Sequence, residues 1–409
     1  MPEPLHLAVA LDGSGWHPAA WREPAARPTS LLTAAYWTDL VQTAERGLLD
    51  FVTIEDSLGL QSDTFSGPDD RVDRVQGRLD AVLIAARVAP LTSSIGLLPT
   101  AVLTHTEPFH LSKAIATLDY VSRGRAGVRV KVAVSAAEAE HFGRRHIPQL
   151  TPADLTTPEV RQLVSDLFDE AADHVEVVRR LWDSWEDDAE IRDAATGRFI
   201  DRKKLHYIDF RSKHLSVKGP SIVPRPPQGQ PLVSALAHID VAYRLVAQQA
   251  DIVYVTPADT TDATRIVHDV RAEQAAAGRE RETLHVLADL VVFLDSETEP
   301  GAARKARLDD LDDLDDLDGI EYTSDARIST GSASDLADLL EQYQQAGITG
   351  FRLRPGALPD DLTRITGALV PELQRRNLFR REYEASTLRG LLGLARPANR
   401  YAVTEGVPA

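Results

Sequence analysis

Cysteine is absent from the 409 residues, which removes disulfides, thiolate metal ligands and a cysteine nucleophile together. Basic residues are in deficit: 45 Lys and Arg stand against 62 Asp and Glu, for a formal charge of −17. A surface of that sign repels phosphodiester backbones and anionic lipid, so no nucleic acid and no membrane partner is expected. No apolar run reaches the length of about 20 residues that a membrane span needs. Met1–Val9 lacks both a basic n-region and an apolar stretch of signal-peptide length, so a cytoplasmic protein is expected. Several chemical signatures are missing too. No Gly-x-Gly-x-x-Gly follows a strand-like run, and there is neither a Walker loop nor a Gly-x-Ser-x-Gly nucleophile elbow. His105 and His110 lie five apart with Pro108 between them, the wrong spacing for a helical zinc site, and no metal ligand set is expected.

What is present is an alternation. Strand-like runs fall at Leu5–Leu11, Phe51–Ile54, Ser94–Leu98, Val128–Val134, Leu232–Leu236, Ile252–Val255, Leu284–Leu294 and Gly350–Leu353. Amphipathic stretches separate them, and a last one near Asp360–Arg376 follows the final strand. Eight strands, each followed by a helix, predict an α/β fold of the TIM (β/α)8 type, with a doubly wound sheet as the alternative. Gly47 and Gly347 are expected to cap helices in the left-handed conformation, and Ser332 or Ser334 to start the helix that follows. The chain 1–409 reads as one barrel domain with two insertions, 136–160 and 187–230, expected to act as lids over a substrate. Residues 307–319 form an acidic low-complexity segment in which Leu308, Leu311, Leu314 and Leu317 recur every three positions among seven Asp. A solvated acidic helix or loop is expected there. Asp316-Leu317-Asp318-Gly319 resembles the end of a calcium loop, but Leu314 would stand at its first ligand position.

Two strands carry chemistry. Val128, Val130, Val132 and Val134 alternate with Arg129, Lys131, Ala133 and Ser135, and Phe351 and Leu353 alternate with Arg352 and Arg354. In a barrel the apolar faces pack on helices and the cations turn inward. Charges there are costly unless paired, and Asp12, Glu55, Asp56 and Asp289 are the candidate partners. Two readings stand side by side: an ion-pair network filling the barrel, or an anion or substrate site built from Lys131, Arg352 and Arg354 at the C-terminal mouth. His6 and His285 read as core histidines.

Five segments resemble the flavin-dependent monooxygenases of the bacterial-luciferase-like superfamily, in particular the nitrilotriacetate and dibenzothiophene-sulfone group. They are Phe51–Ser57, Thr106–Gly127, Val177–Asp188, Phe199–Gln230 and Gly350–Arg400, which includes the runs GFRLRP and VPELQRRNLFRREYE. The resemblance implies a TIM barrel with reduced FMN, or a related flavin or deazaflavin, at the mouth. It implies a separate flavin reductase, O2 as co-substrate, a small organic substrate and a homo-oligomer, commonly a dimer. Asp56, Thr100 and Arg129 fall at its cofactor-contacting positions, although Arg129 replaces an asparagine. No catalytic acid or base is matched: Val164 and Phe168 stand at the family's His and Tyr. The family's phosphate loop, Gln-Ala-Gly-x-Ser-x-x-Gly, reads here as Ala235 through Ala242. Ile239 supplies no hydroxyl and Asp240 adds a negative charge, and both oppose phosphate binding. A non-catalytic subunit or binding protein on the same fold is therefore the alternative function.

Overall fold

The computed structural model describes residues 4–62, 67–312 and 321–402. Eight parallel strands close into a barrel: β1 (His6–Leu11), β2 (Phe51–Ile54), β3 (Gly96–Val102), β4 (Gly127–Lys131), β5 (Leu232–Leu236), β6 (Ile252–Val255), β7 (His285–Leu294) and β8 (Gly350–Pro355). Closure is made by β8, which pairs with β1 (His6 opposite Gly350) and with β7. A TIM barrel is therefore correct and an open doubly wound sheet is not. A ninth parallel strand, Arg327–Gly331, joins the upper half of β7 at Leu290–Leu294, beyond the point where β6 has ended. Its sequence holds one large apolar residue, Ile328, so alternation does not reveal it.

Helices α1 (Ala34–Arg46), α2 (Ala81–Val88), α3 (Pro108–Ser122), α4 (Pro158–Asp183), α5 (Asp240–Gln249), α6 (Thr260–Ala276), α7 (Gly301–Asp312) and α8 (Ala333–Gln345) surround the barrel. Several starts are fixed by side chains that accept the orphan N–H groups of the first turn. Thr33, Thr157 and Asp259 do so, and Ser332 forms a reciprocal capping box with Asp335. Ser332, not Ser334, is thus the cap. The helix after β8 runs from Asp360 to Arg375 but widens into a π turn over Ile365–Leu369, just before Pro371, whose ring nitrogen has no proton to donate. The acidic segment ends α7, where Leu308 is buried. Residues 313–320, including the Asp316–Gly319 motif, lie outside the described residues.

Gly347 has the left-handed φ expected of it, +98°, whereas Gly47 does not, with φ −79°. Glycine is required at 47 for another reason: a Cβ there would lie 2.4 Å from Thr366 Cγ2. Gly47→Ala is expected to cost about 1–3 kcal/mol by overpacking. Urea denaturation checks this, and Thr366→Ala in the same chain is expected to recover part of the loss.

The barrel interior has two storeys. Phe51, Leu98, Leu232, Ile252 and Leu287 fill the lower one, sealed by Leu388 and Leu392 from the C-terminal segment. The upper one is polar. Outside, Val128, Val130, Phe351 and Leu353 pack into the main core with the helices, so the inward turn of the β4 and β8 cations is as expected.

The two insertions occupy opposite ends. Residues 136–160 follow β4 and open with a short helix, Ala136–Glu140, at the mouth. Residues 187–230 fold into two small hairpins, Glu190–Asp193 with Arg198–Ile200 and Phe210–Arg211 with Ser216–Val217. They connect α4 to the start of β5, so they sit where strands begin. There Gln228 Nε2 donates to Asp119 Oδ1 at 2.6 Å and to the Ala126 carbonyl at 2.8 Å, and Arg225 Nε donates to Asp183 Oδ1 at 2.9 Å. These contacts hold Arg225 and Gln228 beside α3 and α4, at the end of the barrel where the strands begin.

Candidate functional site at the barrel mouth

The inward cations are mostly paired. Arg129 Nη1 donates to Glu55 Oε2 at 2.7 Å and to Thr100 Oγ1 at 3.2 Å. Arg352 Nε donates to Asp289 Oδ1 at 2.8 Å and Nη1 to Glu55 Oε1 at 3.2 Å. Arg354 Nε donates to Asp289 Oδ2 at 2.9 Å, and Nη1 donates to Asp325 Oδ1 at 2.6 Å. Their guanidiniums also lie over aromatic faces, Arg352 on Tyr254 at 4.1 Å and Arg354 on Trp16 at 4.5 Å. Three cations thus meet the three anions Glu55, Asp289 and Asp325. Burial pushes the Glu55 carboxyl up, but Arg129, Arg352 and Arg354 together overcome it and hold it at about 2. The network reading wins for Arg129, Arg352 and Arg354, because every guanidinium already has a carboxylate and Arg354 is only 2% exposed.

Other sequence candidates fare differently. Thr100 lies inside β3, not after it, and its hydroxyl accepts from Arg129. Asp56 lies two residues beyond β2 and ties the rim to α2: its Oδ1 accepts from Ser57 N at 2.8 Å and its Oδ2 from Ala81 N at 2.9 Å. Asp12 pairs with Arg78 instead of a barrel cation, through Arg78 Nη2 at 2.6 Å. His6 and His285 sit at the opposite end, His6 Nδ1 3.1 Å from Asp50 Oδ1 and His285 Nε2 2.9 Å from the Leu392 carbonyl.

Lys131 is the exception. It lines a cavity of about 540 Å³ at the mouth, together with Trp16, Trp21, Arg78, Glu138 and Tyr322. Its ammonium has no ion pair or hydrogen bond among the described residues, and burial pushes its pKa down against the attraction of Glu138. Glu138 beside it accepts from Leu58 N at 3.2 Å through Oε1, while Oε2 has no partner. An unpaired, desolvated cation destabilises the fold that carries it. Lys131→Met is therefore expected to stabilise the chain by about 1 kcal/mol in urea denaturation, the mark of a side chain kept for binding.

Trp16, Trp21, Arg78 and Tyr322 escaped sequence reading. The one local signal was Asp12-Gly13-Ser14-Gly15-Trp16 after the first strand. Gly15 has φ +129°, and a Cβ there would lie 2.5 Å from the Gly356 carbonyl, so this turn must be glycine to bring Trp16 over the mouth. A second cavity of about 630 Å³ lies around His6 and His285, but at the strands' N-terminal end, where barrel enzymes do not place their chemistry.

Comparisons agree with this architecture. The family model for luciferase-like monooxygenases matches residues 16–308. Nitrilotriacetate monooxygenase component A of Aminobacter aminovorans is 32% identical, covering 97% of this chain and 98% of its own. Dibenzothiophene-sulfone monooxygenase of Rhodococcus erythropolis strain XP is 26% identical over 96% and 97% respectively. In fold, the chain superposes on a riboflavin lyase crystallised with modified FMN and riboflavin at TM-score 0.82, with 23% identity and 97% and 98% coverage. The chain belongs to the luciferase-like monooxygenase family.

Proposed function

We propose that this chain is a reduced-flavin-dependent monooxygenase acting with O2 on a small organic substrate. The observation that carries the reading is the mouth cavity of about 540 Å³ on a barrel of this family, lined in part by Trp16, Trp21 and Tyr322 and holding Lys131, a cation unpaired among the described residues. Its flat aromatic walls and size suit a flavin ring system or a substrate of similar bulk. When bound, the reduced flavin supplies the electrons that activate O2. The chain's own residues exclude water and position the reactants. Trp16 is held by the Arg354 guanidinium and by donation from its Nε1 to the Ala10 carbonyl at 3.3 Å. Asp56, Thr100 and Arg129 act on the site indirectly, Asp56 by fixing Ser57 on the cavity rim and the other two by bracing Glu55 from below. Lys131 is the group that meets an anionic part of the substrate.

A separate reductase in the cytoplasm supplies the flavin in this reading. The exposed Leu83 and Leu91 on the α2 flank favour a dimer. The helix termini of the β5 side do not fit a phosphate, and this favours one second reading, a non-catalytic member of the family. Anaerobic titration with reduced FMN, followed through the fluorescence of Trp16 and Trp21, separates the two. Saturable binding at micromolar concentration or below is expected. A folded protein that ignores both reduced and oxidised flavin supports the second reading instead.

A further inference from the structure

The arc of the mouth formed by the β5–α5 and β6–α6 turns is already saturated with carboxylates. Ile239 occupies the N-cap of α5 and makes no side-chain capping bond, and Asp240 puts a negative charge in the first turn. In the next turn Asp259 Oδ1 accepts from Asp262 N at 2.8 Å, and Asp262 Oδ2 accepts from Ala258 N at 3.0 Å. Two amide protons at the start of α6, those of Ala258 and Asp262, are therefore already taken by carboxylates, and the helix dipole meets negative charge from within the chain. Two neighbouring cations are committed to carboxylates as well: Arg354 to Asp289 and Asp325, Arg265 to Asp262 and Asp269. His238 lies near Asp325, and Arg327 reaches only the Ala258 carbonyl, at 3.5 Å. A dianion placed here would meet three carboxylates, those of Asp240, Asp259 and Asp262. Lys131, unpaired among the described residues, is on β4, within the mouth cavity.

We infer that this chain holds its flavin by the ring system and leaves the 5′-phosphate ungripped, so that riboflavin and FMN bind alike. The inference rests on the flavin reading above, and it concerns cofactor choice, which that reading leaves open. It also makes Ile239 and Asp240 the residues that cancel FMN preference.

The test is a pair of anaerobic titrations of the whole protein with reduced FMN and reduced riboflavin, followed by tryptophan fluorescence. The two dissociation constants are expected to agree within about 3-fold, less than 1 kcal/mol. The double variant Ile239→Ser, Asp240→Gly supplies a hydroxyl and removes the charge. It is expected to gain about 10-fold for FMN with riboflavin unchanged, and Ile239 is exposed enough (43%) for the fold to tolerate it. A wild-type preference for FMN beyond about 10-fold overturns the inference, whether or not Lys131→Met abolishes that preference. A double variant that folds but gains nothing for FMN overturns the assignment to Ile239 and Asp240. Failure of both flavins to bind overturns the flavin reading itself, an outcome distinct from unequal binding.

Discussion

Replacing Asp289 with alanine is expected to lower the free energy of unfolding by about 3–5 kcal/mol, the range found when one partner of a buried ion pair is removed. Asp289 is fully buried and is the carboxylate shared by Arg352 and Arg354. Without it two guanidiniums face each other inside the barrel, with Glu55 left to serve Arg352 and the half-exposed Asp325 left to serve Arg354. Urea denaturation at neutral pH measures the loss. Replacing all three groups together (Asp289→Leu, Arg352→Leu, Arg354→Met) is expected to recover most of it, since apolar residues of similar volume often substitute for a buried ionic cluster. A loss below about 1 kcal/mol for the single change would show that the network carries little of the barrel's order.

Glu55 gives the second large effect, and its signature is in pH. Its carboxyl titrates near 2 in the folded chain instead of the ordinary 4.5, because Arg129, Arg352 and Arg354 outweigh the penalty of burial. A depressed folded pKa means stability that is present above about pH 4.5 and drains away as the pH falls through about 2. For a fully buried group this is on the order of 3 kcal/mol. Glu55→Gln is expected to cost about 3–5 kcal/mol at pH 7, where Arg129 loses the carboxylate it pairs with at 2.7 Å. The gap between wild type and variant should then close between about pH 4.5 and 2, as the wild-type carboxyl takes up its proton. A gap that stays constant across that range would mean that Glu55 acts by packing alone.

The barrel was legible because its strands are buried on both faces and its helices on one, which writes two different periods into the sequence. The ninth strand was not, since Arg-Ile-Ser-Thr-Gly pairs on one edge only and needs no apolar alternation. Inward-facing arginines could be read from the alternation on β4 and β8, but their commitment could not. That depends on Asp289 standing opposite Arg352 across the β7–β8 ladder, a register that no local pattern encodes. The cavity was the least visible part. Its walls come from Trp16 and Arg78 on the turns after β1 and β2, Glu138 after β4 and Tyr322 before the ninth strand, far apart in the chain. Lys131 was found by periodicity, yet only the structure separates it from Arg129, two residues earlier on the same strand and already neutralised. The altered phosphate loop was visible in the sequence through Ile239 and Asp240. The carboxylates of the adjoining α6 turn, which make that change regional, were not.

The claim that the mouth cavity is the working site is tested most directly by hydrogen exchange of the whole protein with and without reduced FMN, under anaerobic conditions. Flavin-dependent protection is predicted in peptides covering 12–18, 57–62 and 131–138, which wall the cavity, with little change around Ile239–Ala242. Protection confined to the lower face near His6 and His285, or none despite saturating flavin, would contradict it.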